Sequence, residues 1–400
     1  MAFIAPLLAS ALSAPSTLPT LKDLKITPDV ELRGRFERRV DKDFVRSLND
    51  NRSDFLWRVR PGVTATAKNW NARIQLQYAH TVSWTEAKNF SAENPNVSLA
   101  YAQFNAGEGK LTVGRQKITL GDERLIGTLE WQNVARSMDG IRYQDKDWDA
   151  SAFEFGVAFN RPVNARVLAV SHKNPLGTTS YILKSDETSA GDVTVHTLDH
   201  VWKGKLGKDL NGEFEIAGQM GKVGPRDLGA IAAHARATYA FDKKFSLGLE
   251  GNIATGGQSA NHSKTFDNLY PTNHKFYGSA DMQGWRNMQE LSLHASYKTD
   301  PNGTLLLAWH NFWLFDATDA WYGATGGINP RPGGTYVDPT GASGRHVGSE
   351  IDITYNRKLG ANGSSSIGFA VFRPGGFVKN LNPAQDRLQY WGYWMVNYKF

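Results

Sequence analysis

LTVGRQKITLGDERLIGTLEWQNVARSMDGIRY, residues 111–143, reads as a strand, a long polar excursion and a returning strand. Between Arg115 and Arg142 it carries five bases (Arg115, Lys117, Arg124, Arg136, Arg142) and four acids (Asp122, Glu123, Glu130, Asp139). Charge at this density needs water or mutual pairing around it. It fits either a solvated hairpin loop or a loop folded into a wet channel and lining it with both signs. The remainder of the chain decides between these readings.

From Lys25 onward the sequence falls into short segments with period-2 character, separated by turn signals. They lie at 25–39, 53–67, 71–85, 97–106, 110–118, 139–146, 150–160, 164–172, 177–185, 194–204, 211–221, 229–240, 245–253, 289–299, 303–314, 345–358, 363–372 and 389–400. Alternate connections are short, such as KNW, GEG, NPLG, FDKK, DPN and GANG. Most of the others are long and polar, notably 40–52, 119–138, 254–288, 315–344 and 373–388. This alternation predicts an all-β, antiparallel transmembrane barrel of about 18 strands, with 16 as the alternative. Short turns would face the periplasm and long loops the exterior.

The faces agree. In the first segment Val30, Leu32, Gly34 and Phe36 share one side, and Asp29, Glu31, Arg33, Arg35 and Glu37 the other. A base facing lipid at mid-bilayer costs about 2–4 kcal/mol, so the charged side is expected inward, against water. The same logic sends Arg58 and Arg60 inward opposite Phe55, Trp57, Val59 and Val63, and Arg73, Gln75 and Gln77 inward opposite Ile74, Leu76 and Tyr78. The final segment, QYWGYWMVNYKF, alternates aromatics outward and ends on Phe400. Trp57, Trp70, Trp84, Trp148, Trp313 and Trp391 stand near strand ends, where interfacial girdles place such rings.

Composition is consistent with this. Aromatics make up 12% of 400 residues, glycines number 39, and the hydrophobic fraction is 40%, as suits a protein wet on one side and lipid-facing on the other. The absence of cysteine excludes disulfides and thiolate metal sites, and a net charge of +6 favours a polyanionic partner. Residues 1–21 read as a signal peptide and leader with an A-x-A site at Ala9-Ser10-Ala11, although no base precedes Lys22. Residues 22–400 then form one barrel domain, with 119–138 folded toward the lumen.

Motifs of hydrolases, zinc proteases and nucleotide-binding loops are absent. His196 and His200 are separated by about 13 Å along a strand, too far to share an ion. Asp145, Asp147 and Asp149 lack the Gly and Glu of an EF-hand loop. No enzyme, metal or cofactor is therefore expected. The inward arginines are spread over many strands and form no stripe for nucleic acid.

The stretches VGRQKITLGDERLIGTLEWQNVARSMDGIRY (113–143), FDNLYPTNHKFYGSADMQGWRN (266–287), FWLFDATDAWYGATGG (312–327) and GRHVGSEIDITYNRKL (344–359) resemble the alginate export (AlgE-like) outer-membrane barrels, in their broader branch. The likeness runs from about Leu24 to Phe400. It implies an eighteen-stranded monomer in the bacterial outer membrane, with a constricted, electropositive lumen that passes an anionic polysaccharide such as a polyuronate, and periplasmic export partners. On the matching stretch, Arg115, Gln116, Asp122, Arg124, Glu130, Arg136, Asp139 and Arg142 would line the substrate path. Arg33, Arg35, Arg58 and Arg60 join them from the face argument alone. Strict alternation turns Arg115 toward lipid with Leu111 and Val113, so a bulge near Gly114 is expected to redirect it inward. Another reading has these charges pair with one another and brace the wall. Alternative functions are a substrate-specific porin for small anions or oligosaccharides and, from another class, a loop-based adhesin or barrel enzyme.

Overall fold

The computed structural model describes residues 23–45, 50–84, 95–157, 164–188, 191–382 and 387–400; the leader at 1–21 lies outside them. Eighteen strands close into one antiparallel barrel, each matching one segment expected above. They are β1 (Lys25–Val40), β2 (Arg52–Thr66), β3 (Trp70–Ser83), β4 (Asn96–Ala106), β5 (Gly109–Gln116), β6 (Ser137–Gln144), β7 (Trp148–Val157), β8 (Arg166–Asn174) and β9 (Gly177–Thr188). The ring continues with β10 (Gly191–Lys205), β11 (Leu210–Val223), β12 (Arg226–Ala240), β13 (Phe245–Ala254), β14 (Met288–Asp300), β15 (Gly303–Trp313), β16 (His346–Leu359), β17 (Gly363–Pro374) and β18 (Gln389–Lys399). Closure comes from β18 on β1, in register from Val40↔Tyr390 to Glu31↔Lys399. Phe400 completes it by exchanging backbone hydrogen bonds with Val30. A closed ring leaves no unpaired strand edge, which lipid would penalise.

Alternation sorts the side chains as the sequence requires. Outward-facing Ile74, Leu76 and Val63 are 46–60% exposed, while inward-facing Arg33, Arg35, Arg58, Arg60, Gln75 and Gln77 are buried. On the far wall Glu215, His234, Glu250, Glu350 and Asp352 point inward, and Ile216, Ile231, Leu249 and Ile351 outward. The girdle expectation holds for Trp84 and Trp148, both exposed, but not for Trp391. That ring is 1% exposed and faces inward, with its centroid 5.8 Å from that of Trp131. Its position in the alternation, between outward Tyr390 and Gly392, dictates this.

The long-loop end departs from an open bore. Loops 255–287 and 314–345 turn into the barrel mouth and bury Phe266, Tyr277, Trp285, Trp321 and Tyr336 with Phe44, Phe312 and Phe372. The expected wet interior is therefore confined to cavities beneath and beside an aromatic cap. Asn287 ties the two loops together: its side chain accepts from the Asp316 N–H and donates to the Asp316 and Ala320 carbonyls. Only glycine fits beside it, since a Cβ on Gly256 would lie 1.8 Å from Asn287 Oδ1.

Candidate functional site

The loop between β5 and β6, residues 117–136, leaves its wall and crosses the lumen. Its buried turn exposes carbonyls that no strand can satisfy, and the guanidinium groups of β1 and β2 meet them with several donors each. Arg33 donates to the carbonyls of Glu130 (2.7 Å), Trp131 (3.2 Å) and Gln132 (2.8 Å) and to Asn133 Oδ1. Arg35 donates to the Trp131 carbonyl, and Arg58 to that of Gln132. The Glu130 carboxylate accepts from Arg60 Nη1 (2.9 Å) and Arg58 Nη2 (3.2 Å) and pairs with Lys117. Loss of water around Glu130 favours its acid form, but Arg60, Lys117 and Arg58 outweigh this and pull the carboxyl down to about 2.

Six residues earlier, the same loop reaches the other side of the ring. Arg124, 3% exposed, pairs with Asp122 (3.2 Å), with Glu250 of β13 (3.2 Å) and with Glu215 of β11 (3.6 Å). It also donates to Tyr277 Oη and lies 4.0 Å from the Phe276 ring centroid. Burial opposes its charge, but Tyr277, Glu250, Asp122 and Glu215 together hold the guanidinium above its ordinary value. Loop 255–287 is laced alongside: Tyr270 N donates to the Leu125 carbonyl, Gly127 N to that of Tyr270, and Thr272 N to that of Glu123. Arg136 closes the junction by donating to the Gly127 and Tyr270 carbonyls. The second loop is itself held by Lys184–Asp267 (2.7 Å) and by Ala280 N–H on Glu350.

Two cavities flank this lacework. The outer one, on the long-loop side, has a volume of about 440 Å³. Its lining includes Arg35, Arg39, Lys42, Arg52 and Arg136 against Glu37, Asp54 and Asp281, an excess of positive charge. The inner cavity, of about 460 Å³, faces the short turns. There Arg124, Lys203, Arg236 and Lys275 are balanced by Asp122, Glu213, Glu250 and Asp352. His274 borders both. Its ring stacks on Trp131 at 4.0 Å between centroids, and its Nδ1 bonds to Asp281 Oδ1 at 2.9 Å. Arg35 covers Trp131 from the wall, 4.1 Å from the ring centroid.

The residues singled out in the sequence are thus divided. Arg35 and Arg136 border the outer cavity, Asp122 and Arg124 the inner one, and Arg33 and Arg58 a third of about 310 Å³ at the short-turn end. Arg60 and Glu130 belong to the loop clamp. Gln116 is buried among the Thr112, Gly114 and Gly140 carbonyls, and Arg142 pairs with Asp149 while donating to the Thr119 carbonyl. Arg115 and Asp139 are not in the lumen at all. Pairing runs unbroken through Gly114, so the expected bulge is missing, and register aligns Arg115 with Ala100 and Ile74 on the outward face. Arg115 and Asp139 pair there at 2.6 Å, where each neutralises the other.

Sequence reasoning overlooked Arg39, Lys42, Arg52 and His274. Arg39 was within reach, because it continues the alternation of Arg33, Arg35 and Glu37. His274 carried no signal, since the register of a long loop is not periodic. Asp145 accepts from the Asp147 and Trp148 N–H groups of a turn, and among the described residues no group suited to a metal ion is found.

The alginate export family matches residues 25–389. No curated protein matches the sequence. Among solved structures, the chain is similar to Pseudomonas aeruginosa OccK5 (OpdH), at 12% identity and a TM-score of 0.64, covering 96% of this chain and 99% of that one. It is likewise similar to the outer membrane protein OprD of the same organism, at 12% identity and a TM-score of 0.62, covering 96% of each. The outer membrane protein OpdK compares at 10% identity and a TM-score of 0.62, with 94% and 98% covered. At such identities these likenesses establish the barrel fold. With a family match over nearly all of the barrel, the chain belongs to the alginate export family of bacterial outer-membrane channels.

Proposed function

We propose that this channel passes an anionic saccharide, an alginate-like polyuronate, by electrostatic selection without covalent chemistry. The observation that carries the reading is the cationic outer cavity, where Arg35, Arg39, Lys42, Arg52 and Arg136 outnumber Glu37, Asp54 and Asp281. Guanidinium groups offer planar forks to carboxylates. Conduction also requires sites weak enough to release what they admit. Asp54, 2.9 Å from Arg52, supplies that competition, as Glu213 does for Lys203 at 3.3 Å in the inner cavity. In this reading Arg33, Arg35, Arg58 and Arg60 spend donors on the crossing loop, Arg124 and Arg136 tie that loop to the far wall and to loop 255–287, and together they shape the constriction, while Lys42 and Arg52 meet the solute.

The second reading, a porin for small anions or short oligosaccharides, is favoured by the loop crossing the lumen between two cavities of modest size. Single-channel recordings with tri- or tetrauronate, monomeric uronate and a neutral oligosaccharide separate the two. Block by oligouronate that weakens in Lys42→Gln and Arg52→Gln is expected. Equal block by neutral and charged oligosaccharides would refute electrostatic selection, and block by the monomer alone would favour the porin.

A further inference from the structure

On the outward wall, where β16, β17, β18 and β1 meet, lies an apolar groove of about 580 Å³. Phe36, Phe369, Tyr390 and Trp394 form its sides, and all four are exposed. Its floor is Gly392, which register sets directly between Arg38 and Phe369. A Cβ on Gly392 would find only ordinary contacts, at 3.5 Å and 3.6 Å, so the space above this residue is open. Arg38 is exposed at the groove's edge, and its one hydrogen bond among the described residues is to Ser53 Oγ, at 2.7 Å. No acid pairs with it among those residues.

The height of Arg38 in the membrane follows from the strand. Phe400 and Val30 pair at the short-turn end. From Val30 to Arg38 is eight residues, about 26 Å along a strand or about 20 Å of vertical rise at the tilt of such barrels. That nearly spans the apolar band of about 25 Å. On the same tier, Trp84 N–H bonds to the Ser53 carbonyl, and the Trp84 ring, 62% exposed, lies 6.0 Å from Phe36. Arg38 therefore stands where the hydrocarbon of the outer leaflet ends and its headgroups begin. A guanidinium costs little at that depth, and an unpaired one is free to bind an anion bidentately.

We infer that this groove is a binding site for a phosphorylated acyl lipid of the outer leaflet, with a chain lying over Gly392 between Phe36, Tyr390, Trp394 and Phe369 and a phosphate on Arg38. The site is separate from the solute path, because it lies on the opposite face of the wall.

Native mass spectrometry of the whole detergent-purified barrel tests this, with bisphosphorylated lipid A, its dephosphorylated form and phosphatidylethanolamine as probes. Wild type should retain lipid A over both others. Arg38→Gln should lower lipid A retention about tenfold, as expected for one lost charge-assisted contact, and Arg38→Lys should recover part of it. Gly392→Leu should fill the groove and reduce binding of lipid A and its dephosphorylated form alike. Heat-modifiable mobility confirms that each variant is folded. Lipid A retention unchanged in Arg38→Gln, equal retention of the dephosphorylated form, or full binding by Gly392→Leu would overturn the proposal.

Discussion

Glu130→Gln tests the loop clamp most directly. The wild-type carboxylate faces Arg58, Arg60 and Lys117, and Arg60 is 1% exposed. The substitution preserves shape but leaves three cations facing one another, with Glu31, at 3.7 Å, the one acid still paired with Arg60 among the described residues. Breaking a buried pair costs about 3–5 kcal/mol and an exposed pair about 0–1 kcal/mol. The Glu130 side chain is 40% exposed, so a value between these limits, about 2 kcal/mol, applies. At 1.36 kcal/mol per decade, that shifts the ratio of seated to displaced loop by about thirtyfold. In planar-bilayer recordings the variant should visit a higher-conductance substate correspondingly more often, and its reversal potential should move toward anions. Glu31→Gln, which removes the same charge without touching the loop, should leave substate occupancy unchanged. Identical gating in wild type and Glu130→Gln would refute the clamp, and identical gating in the two variants would reduce it to a general charge effect.

Acid should mimic that substitution. Because the Glu130 carboxyl is pulled down to about 2, its contribution is complete above the ordinary carboxylate range and is lost as pH falls toward 2; wild type should gain the substate across that window and Glu130→Gln should not. His274→Ala, by removing the ring that borders both cavities and stacks on Trp131, should raise conductance. Unchanged conductance would show that the partition lies elsewhere. Arg124→Met takes from Glu215 its paired base and from Asp122 and Glu250 the buried one they share, leaving Asp122 to Lys203 and Glu250 to His234 and His294, which should cost about 3 kcal/mol and lower the temperature of the heat-modifiable transition; Arg124→Lys should not restore it, since one ammonium cannot reach all these partners. Gly256→Ala should force Asn287 aside and render loop 255–287 sensitive to protease added from outside, a change absent if the loops were held independently.

The correspondence between sequence and structure is uneven along the chain. Each strand was legible because its evidence is local: neighbours alternate, and lipid penalises each outward charge separately. The inward placement of Arg33, Arg35, Arg58 and Arg60 followed from this alone. Arg115 shows the strength of the same rule. Plain alternation places it outward, and the bulge invoked to bring it inward does not exist. Trp391 repeats the lesson, since nearness to a strand end suggested a girdle where the period-2 face predicts an inward ring.

The sequence by itself determined a closed barrel with a charged interior, its strand order and the face of nearly every strand residue. Only the tertiary structure decided which of the interior cations face an open cavity and which hold a loop. Arg33 and the Glu130 carbonyl are 97 residues apart, and their meeting leaves no periodic trace in either segment. Loops carry no alternation, and their direction is set by where buried carbonyls find donors. Folded inward, these loops engage Arg33, Arg35, Arg58 and Arg60, take one donor of Arg39 at the Ala280 carbonyl, and leave Lys42 and Arg52 facing the open outer cavity.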